Sequence, residues 1–211
     1  MEYTLKYGSH RTRGEGMCLL EAVAFLADEP HSDAPECACP VLSAYGRNLN
    51  DVMGKGPQGD ALRTKYLADI ALMLVGTRST REVERRRAYL LADRAVRVFA
   101  PLALDAVGLH YHAAKLRALT PVTDATTTRA ARAACDATWA ACCDPAGDAA
   151  ARAAANAAAR VAARVAAGAA CDAAGAAARV AACAAAAAVW TAARDAFIDA
   201  ISLDTDNAGG M

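Results

Sequence analysis

Apolar positions recur at spacings of three and four through most of the first 120 residues, and that period predicts amphipathic helices rather than strands. From Met17 to Ala27 the inward set is Leu20, Val23, Ala24 and Ala27. A second stripe, Val41, Leu42, Tyr45, Leu49 and Val52, is expected to begin at Pro40, because proline's fixed φ and missing N–H suit the first position of a helix. GKGPQG at 54–59 reads as a loop before a third helix carrying Leu62, Tyr66, Ile70, Met73 and Leu74. Gly76 follows where a helix end favours a left-handed residue. Ser79-Thr80-Arg81-Glu82 has the form of a capping box with Ser79 as the cap, so a fourth helix is expected to run from there to about Phe99, ahead of Pro101. A further helical stretch, broken near Gly108, carries His110, His112 and Leu116. Residues 2–7 depart from the period: Tyr3, Leu5 and Tyr7 alternate with polar neighbours, as in a short strand or an extended arm.

The pattern changes in TPVTDATTT at 120–128, beyond which the chain is alanine-rich and low in complexity. Asp124 and Asp148 are expected helix caps, CDPAGD at 143–148 a turn, and Arg152, Asn156, Arg160 and Arg164 a polar stripe, with Gly168 and Gly175 as bends. Alanine has high helix propensity but buries little area, so such helices need large anchors, here Trp139, Trp190, Phe197 and Ile201. The expected fold class is all-α. A multi-helix domain over 1–122 precedes an alanine-rich helical hairpin or bundle over 123–203 and a flexible tail over 204–211.

Composition narrows the function classes. With 23 basic and 23 acidic residues the formal charge is zero, which argues against general nucleic-acid binding and against attraction to an anionic membrane. The longest apolar run, VAACAAAAAVW at 180–190, is too short to span a bilayer, and MEYTLKYGSHRTRG lacks the core of a signal peptide. The expectation is a cytoplasmic protein whose eight scattered cysteines are thiols, core fillers or metal ligands rather than a disulfide framework.

Three stretches carry residue types suited to chemistry. In GSHRTRGEGMC, Ser9, His10, Arg11 and Arg13 lead into a helix N-terminus and are placed to close around a phosphate or carboxylate. EPHSDAPECACPV at 29–41 concentrates His31, Ser32, Asp33, Cys37 and Cys39 between two helices. With Cys18, His31, Cys37 and Cys39 offer four soft ligands and make zinc the possible cofactor. Alternatively Cys39, just before Pro40, is a reactive thiol assisted by His31, or the whole stretch is a rigid turn with Ser32 or Asp33 holding backbone donors. In the third stretch, Arg85, Arg86 and Arg87 cover most of a helix circumference, so one is expected to turn inward and to find Asp93, Glu21 or a bound anion. Glu21 stands out because it lies inside the apolar CLLEAVAFL. His110 and His112, two apart, are expected at the surface or an interface, and the cysteines at 135, 142, 143, 171 and 183 are expected to fill space among alanines.

The runs GEGMCLLEAVAFLADEPHSDAPECACPVLSAYGRNLND and LVGTRSTREVERRRAYLLADRAVR resemble a group of uncharacterised proteins of actinobacteria and their phages over residues 8–122, most specifically in EPHSD-x-P-x-C-x-C-P. The resemblance implies an actinobacterial or actinophage accessory protein and transfers no catalytic roles. The expected function is a non-enzymatic binding protein that holds a small anionic, nucleotide-like ligand, as a phage counter-defence protein would. Ser9, His10, Arg11, Arg13, Glu21, His31, Ser32, Asp33, Arg86 and Arg87 are its candidate contacts. Two alternatives stand beside it: an enzyme using Glu21, His31, Asp33 and Cys39, and a protein-interaction module that forms homo-oligomers through the alanine-rich helices.

Overall fold

In a computed structural model, which describes residues 3–106, 108–141 and 187–203, the chain is all-α. Helix α1 spans Leu19–Leu26, α2 Pro40–Val52, α3 Gly56–Leu74 and α4 Arg81–Arg94. A π-helical turn over Ala95–Phe99 joins α4 to α5, Ala100–Ala106, and α6 covers His110–Arg117. From the alanine-rich part come α7, Ala125–Ala141, and α8, Ala187–Ser202. The expected turn at 143–148, the cap at Asp148, the 152–164 stripe, the bends at Gly168 and Gly175, Cys142, Cys143, Cys171, Cys183, the Trp139 side chain and the tail from 204 lie outside the described residues and side chains.

The N-terminal alternation produces an extended arm, whose one bridge among the described residues pairs Leu5 with Met17. The arm is pinned at both edges: the Tyr3 hydroxyl donates to Ala68 O at 2.7 Å, Leu5 N to Thr64 Oγ1 at 3.0 Å and Lys6 N to Met17 O at 2.8 Å. Leu5 is thereby fully buried.

Several local signals act as expected. Pro40 opens α2, Gly76 takes a φ of 73° after α3, and Asp124 Oδ1 accepts Thr126 N and Thr127 N, both at 2.8 Å, to cap α7. Others are displaced. Helix α3 starts inside GKGPQG, at Gly56, because Pro57 fits a first turn and the positive φ of Gly54 and Gly56 completes the reversal before it. The α4 cap is Thr80, one residue later than Ser79: its Oγ1 accepts Val83 N at 3.4 Å, and Glu82 pairs with Arg85 instead of reaching back. The chain also stays helical past Pro101. The π turn, closed by Ala100 N donating to Ala95 O five residues back, widens the helix just ahead of a ring that has no N–H and needs room. Met73, expected on the inner stripe, is 37% exposed, since α3 faces the core along Arg63, Leu67, Ile70 and Leu74.

The core gathers Leu19, Leu20 and Val23 of α1, Leu42, Tyr45 and Leu49 of α2, Leu67 and Ile70 of α3, and Leu91, Val96 and Phe99. Helix α8 packs on α2, α3 and α4 and contributes Trp190 and Phe197 to the same core, with Ile201 partly buried against it. Its Ala193, Ala196 and Ala200 permit the close approach. The rings of Phe197 and Tyr45 meet edge to face at 5.1 Å, and the Tyr45 hydroxyl donates to Ala193 O at 3.1 Å. Complete burial pushes the Tyr45 phenol well above its ordinary pKa, so it remains a donor. At Gly46 an added methyl would sit 2.9 Å from both Leu19 Cδ2 and Phe197 Cζ. Gly46→Ala is therefore expected to destabilise by about 1–3 kcal/mol in urea unfolding, although alanine is the better helix former by about 1 kcal/mol. Equal or greater stability would show that α2 and α8 have slack between them. No helix among the described residues is long and apolar enough to cross a membrane.

Candidate functional site

The loop before α1 and the loop after it meet at one buried carboxylate. Glu21 is 1% exposed; its Oε1 accepts His10 N at 2.5 Å, and its Oε2 accepts Cys18 N at 2.7 Å and lies 2.8 Å from His10 Nδ1. His31 Nε2 donates to His10 O at 3.0 Å and sits 3.7 Å from Glu21 Oε1. The fold thus brings together His10, Glu21 and His31 from three separated positions. Burial alone would raise the Glu21 carboxyl, but the His10 and Cys18 amides and the His10 ring outweigh it and hold the pKa below the ordinary 4.5. The same burial, with Glu21 close by, drives the Cys18 thiol up to about 12, so Cys18 is no nucleophile at neutral pH.

Around this cluster the other predicted residues take different roles. Ser9, Asp33 and Cys18 line a cavity of about 200 Å³ together with Arg47, Asn50 and Asp51 of α2. Arg47 donates to Asp33 O at 2.7 Å, while Asn50 binds Leu19 N and Lys6 O and so ties the α1 start to the arm. Arg11 is spent on Glu15, and the Arg13 guanidinium lies over the Phe25 ring at 3.2 Å. Ser32 Oγ accepts Ala34 N at 3.0 Å, a local turn bond. Glu29 organises the rest of that loop, accepting Glu36 N at 2.7 Å and Cys37 N at 2.8 Å. Cys39 is the buried N-cap residue of α2, its amide donating to Thr77 Oγ1 at 3.0 Å. Cys18 and His31 both border Glu21, whereas Cys37 and Cys39 belong to the segment leading into α2, and no group of three or more His, Cys, Asp or Glu suited to a metal occurs among the described residues.

The arginine run of α4 separates by register. Arg85 pairs with Glu82 at the surface. Arg87, in line with buried Val83 and Leu91, is itself 1% exposed and donates to Thr77 O at 2.7 Å, Ala200 O at 3.0 Å and Ile201 O at 3.4 Å. Among the described residues it thus reaches three backbone carbonyls, one ahead of α4 and two in the last turn of α8. Arg86 faces elsewhere, into a cavity of about 570 Å³ that Arg94 and Arg97 also line. Tyr89 and Leu90 of α4, residues 121–123 and Leu203 complete it. Asp93 holds the site in shape: Oδ1 lies 3.1 Å and Oδ2 3.2 Å from Arg97 Nη1, and Oδ1 also accepts Val122 N at 2.9 Å. Arg94 is tethered to Asp199 of α8 at 2.8 Å. The Nε–H of Arg97 is buried and has no hydrogen-bond partner among the described residues.

Arg94, Arg97 and Tyr89 escape sequence reasoning because each reads as part of an ordinary solvated helix face, and the walls opposite them come from residues far along the chain. Asp93 to Arg97, an i, i+4 pair, is the one local signal. No protein-family model, no curated protein and no solved structure matches this chain.

Proposed function

We propose that this is a non-enzymatic binding protein that holds a small anionic ligand in the cavity between α4, residues 121–123 and the end of α8. The observation that carries the reading is Arg97, whose Nη1 rests on Asp93 while its Nε–H is buried and unpartnered among the described residues, in a cavity shared with Arg86 and Arg94. An unmet buried donor costs about 1–3 kcal/mol, and an oxyanion supplies the missing acceptor with a charge-assisted bond. The volume, about 570 Å³, lies in the range of small-molecule sites. His10, Glu21 and His31 are linked to one another by hydrogen bonds and set the 8–17 loop against the 29–39 loop.

The test is release and rebinding. Freshly purified protein is taken into native mass spectrometry, any bound anion is identified after denaturation, and its affinity is then measured by calorimetry. Arg97→Gln should weaken binding at least tenfold, the loss of one charged contact, while Arg13→Ala leaves it unchanged. Undiminished affinity in Arg97→Gln would sink this site.

A further inference from the structure

Resting on the reading of the α4 cavity as an anion site, we infer that its ligand is an amphipathic monoanion, a singly charged oxyanion head on an apolar body. The charges around the cavity set the head. Arg94 is neutralised by Asp199 at 2.8 Å and Arg97 by both oxygens of Asp93, so two of the three guanidinium charges are already matched. Arg86 has no ion-pair or hydrogen-bond partner among the described residues. Among the described residues a bound head group therefore meets one surplus positive charge and one vacant donor, Arg97 Nε–H. A polyphosphate brings several negative charges, and those beyond the first lie beside Asp93 and Asp199, where like charges in a partly desolvated site repel.

The walls set the body. Tyr89 and Leu90 of α4, with Pro121, Val122 and Leu203, give the cavity an apolar side beside its arginines, and Val122 is nearly fully buried there. Inorganic phosphate leaves that side empty, whereas an acyl chain or planar ring covers it and gains the transfer free energy of each buried group. The hydrogen bond from Val122 N to Asp93 fixes the apolar wall to the arginine side before any ligand arrives, which lowers the ordering cost of binding. Carboxylates and phosphodiesters both provide such heads.

Fluorescence titration of the full chain with 1-anilinonaphthalene-8-sulfonate, followed by competition, tests the inference. The competitors are decanoate, 3′,5′-cyclic adenosine monophosphate, ATP, inorganic phosphate and the neutral analogues decanol and adenosine. Decanoate or the cyclic nucleotide should displace the probe at least tenfold more effectively than ATP, phosphate or its own neutral analogue, and the better of the two identifies the head. Arg86→Gln should weaken that competitor about tenfold with an unchanged unfolding midpoint, since Arg86 is exposed. If ATP or phosphate competes as well as the monoanions and depends on Arg86, the monoanion inference fails while the anion reading stands. If the neutral analogues match the anions, or no competitor displaces the probe, both fail.

Discussion

Replacing Glu21 with alanine is expected to destabilise the protein by about 3–5 kcal/mol, which would consume much of a typical domain's stability. Two effects add. The variant leaves the part-buried N–H of His10 and the buried N–H of Cys18 without acceptors, and it removes the carboxylate that His10 Nδ1 contacts at 2.8 Å, so the 8–17 loop loses its tie to α1. Glu21→Gln retains the shape and one acceptor but turns an amide NH₂ toward a donor, so its loss should be intermediate. The pH dependence has a definite sign. Because the folded-state carboxyl lies below 4.5, its contribution is complete above that value and is lost as the pH falls through the folded pKa. Urea unfolding of the wild type and Glu21→Gln should therefore converge at acid pH and diverge toward neutrality. A constant difference between them across that range would mean that the carboxylate's charge is not what the loop depends on.

The helical class was legible because the three-and-four spacing reports burial of one face, and burial is what stabilises most helices. Local chemistry was legible where one residue decides it: Pro40 at a helix start, Gly76 at a left-handed end, Asp124 at a cap. Glu21 could be singled out because a carboxylate inside an apolar run needs partners, although only the fold shows that two amides and the His10 ring supply them. Which arginine turns inward was also encoded. Arg87 continues the Val83 to Leu91 line at spacings of four, whereas Arg85 and Arg86 do not. The cavity was not legible, because Arg86, Arg94 and Arg97 share a helix that looks solvated until residues 121–123 and Leu203 are laid against it. The placement of α8 was equally hidden: an alanine surface fits almost any neighbour, and only Trp190 and Phe197 mark a face.

That placement rests on Arg87, and Arg87→Ala is expected to cost about 3–5 kcal/mol. The guanidinium reaches Ala200 O at 3.0 Å and Ile201 O at 3.4 Å in the last turn of α8, where carbonyls lack helical partners and the helix dipole is negative. Its third bond, to Thr77 O at 2.7 Å, fastens that turn to the segment leading into α4. Truncation leaves buried acceptors bare and a void the size of the side chain. Arg87→Met separates the two contributions, since it keeps most of the apolar stem and deletes only the donors. Arg87→Lys should recover only part of the loss, because a single ammonium cannot span three carbonyls held by a planar fork. Hydrogen exchange adds a local readout: in Arg87→Met the amides of α8 should exchange faster than those of α1, because α8 loses its anchor while the α1 contacts to Glu21 persist. If Arg87→Met were as stable as the wild type and α8 equally protected, Phe197 and the alanine face would be sufficient to hold the helix. The buried guanidinium would then be neutral to stability, its desolvation cost matching what its interactions return.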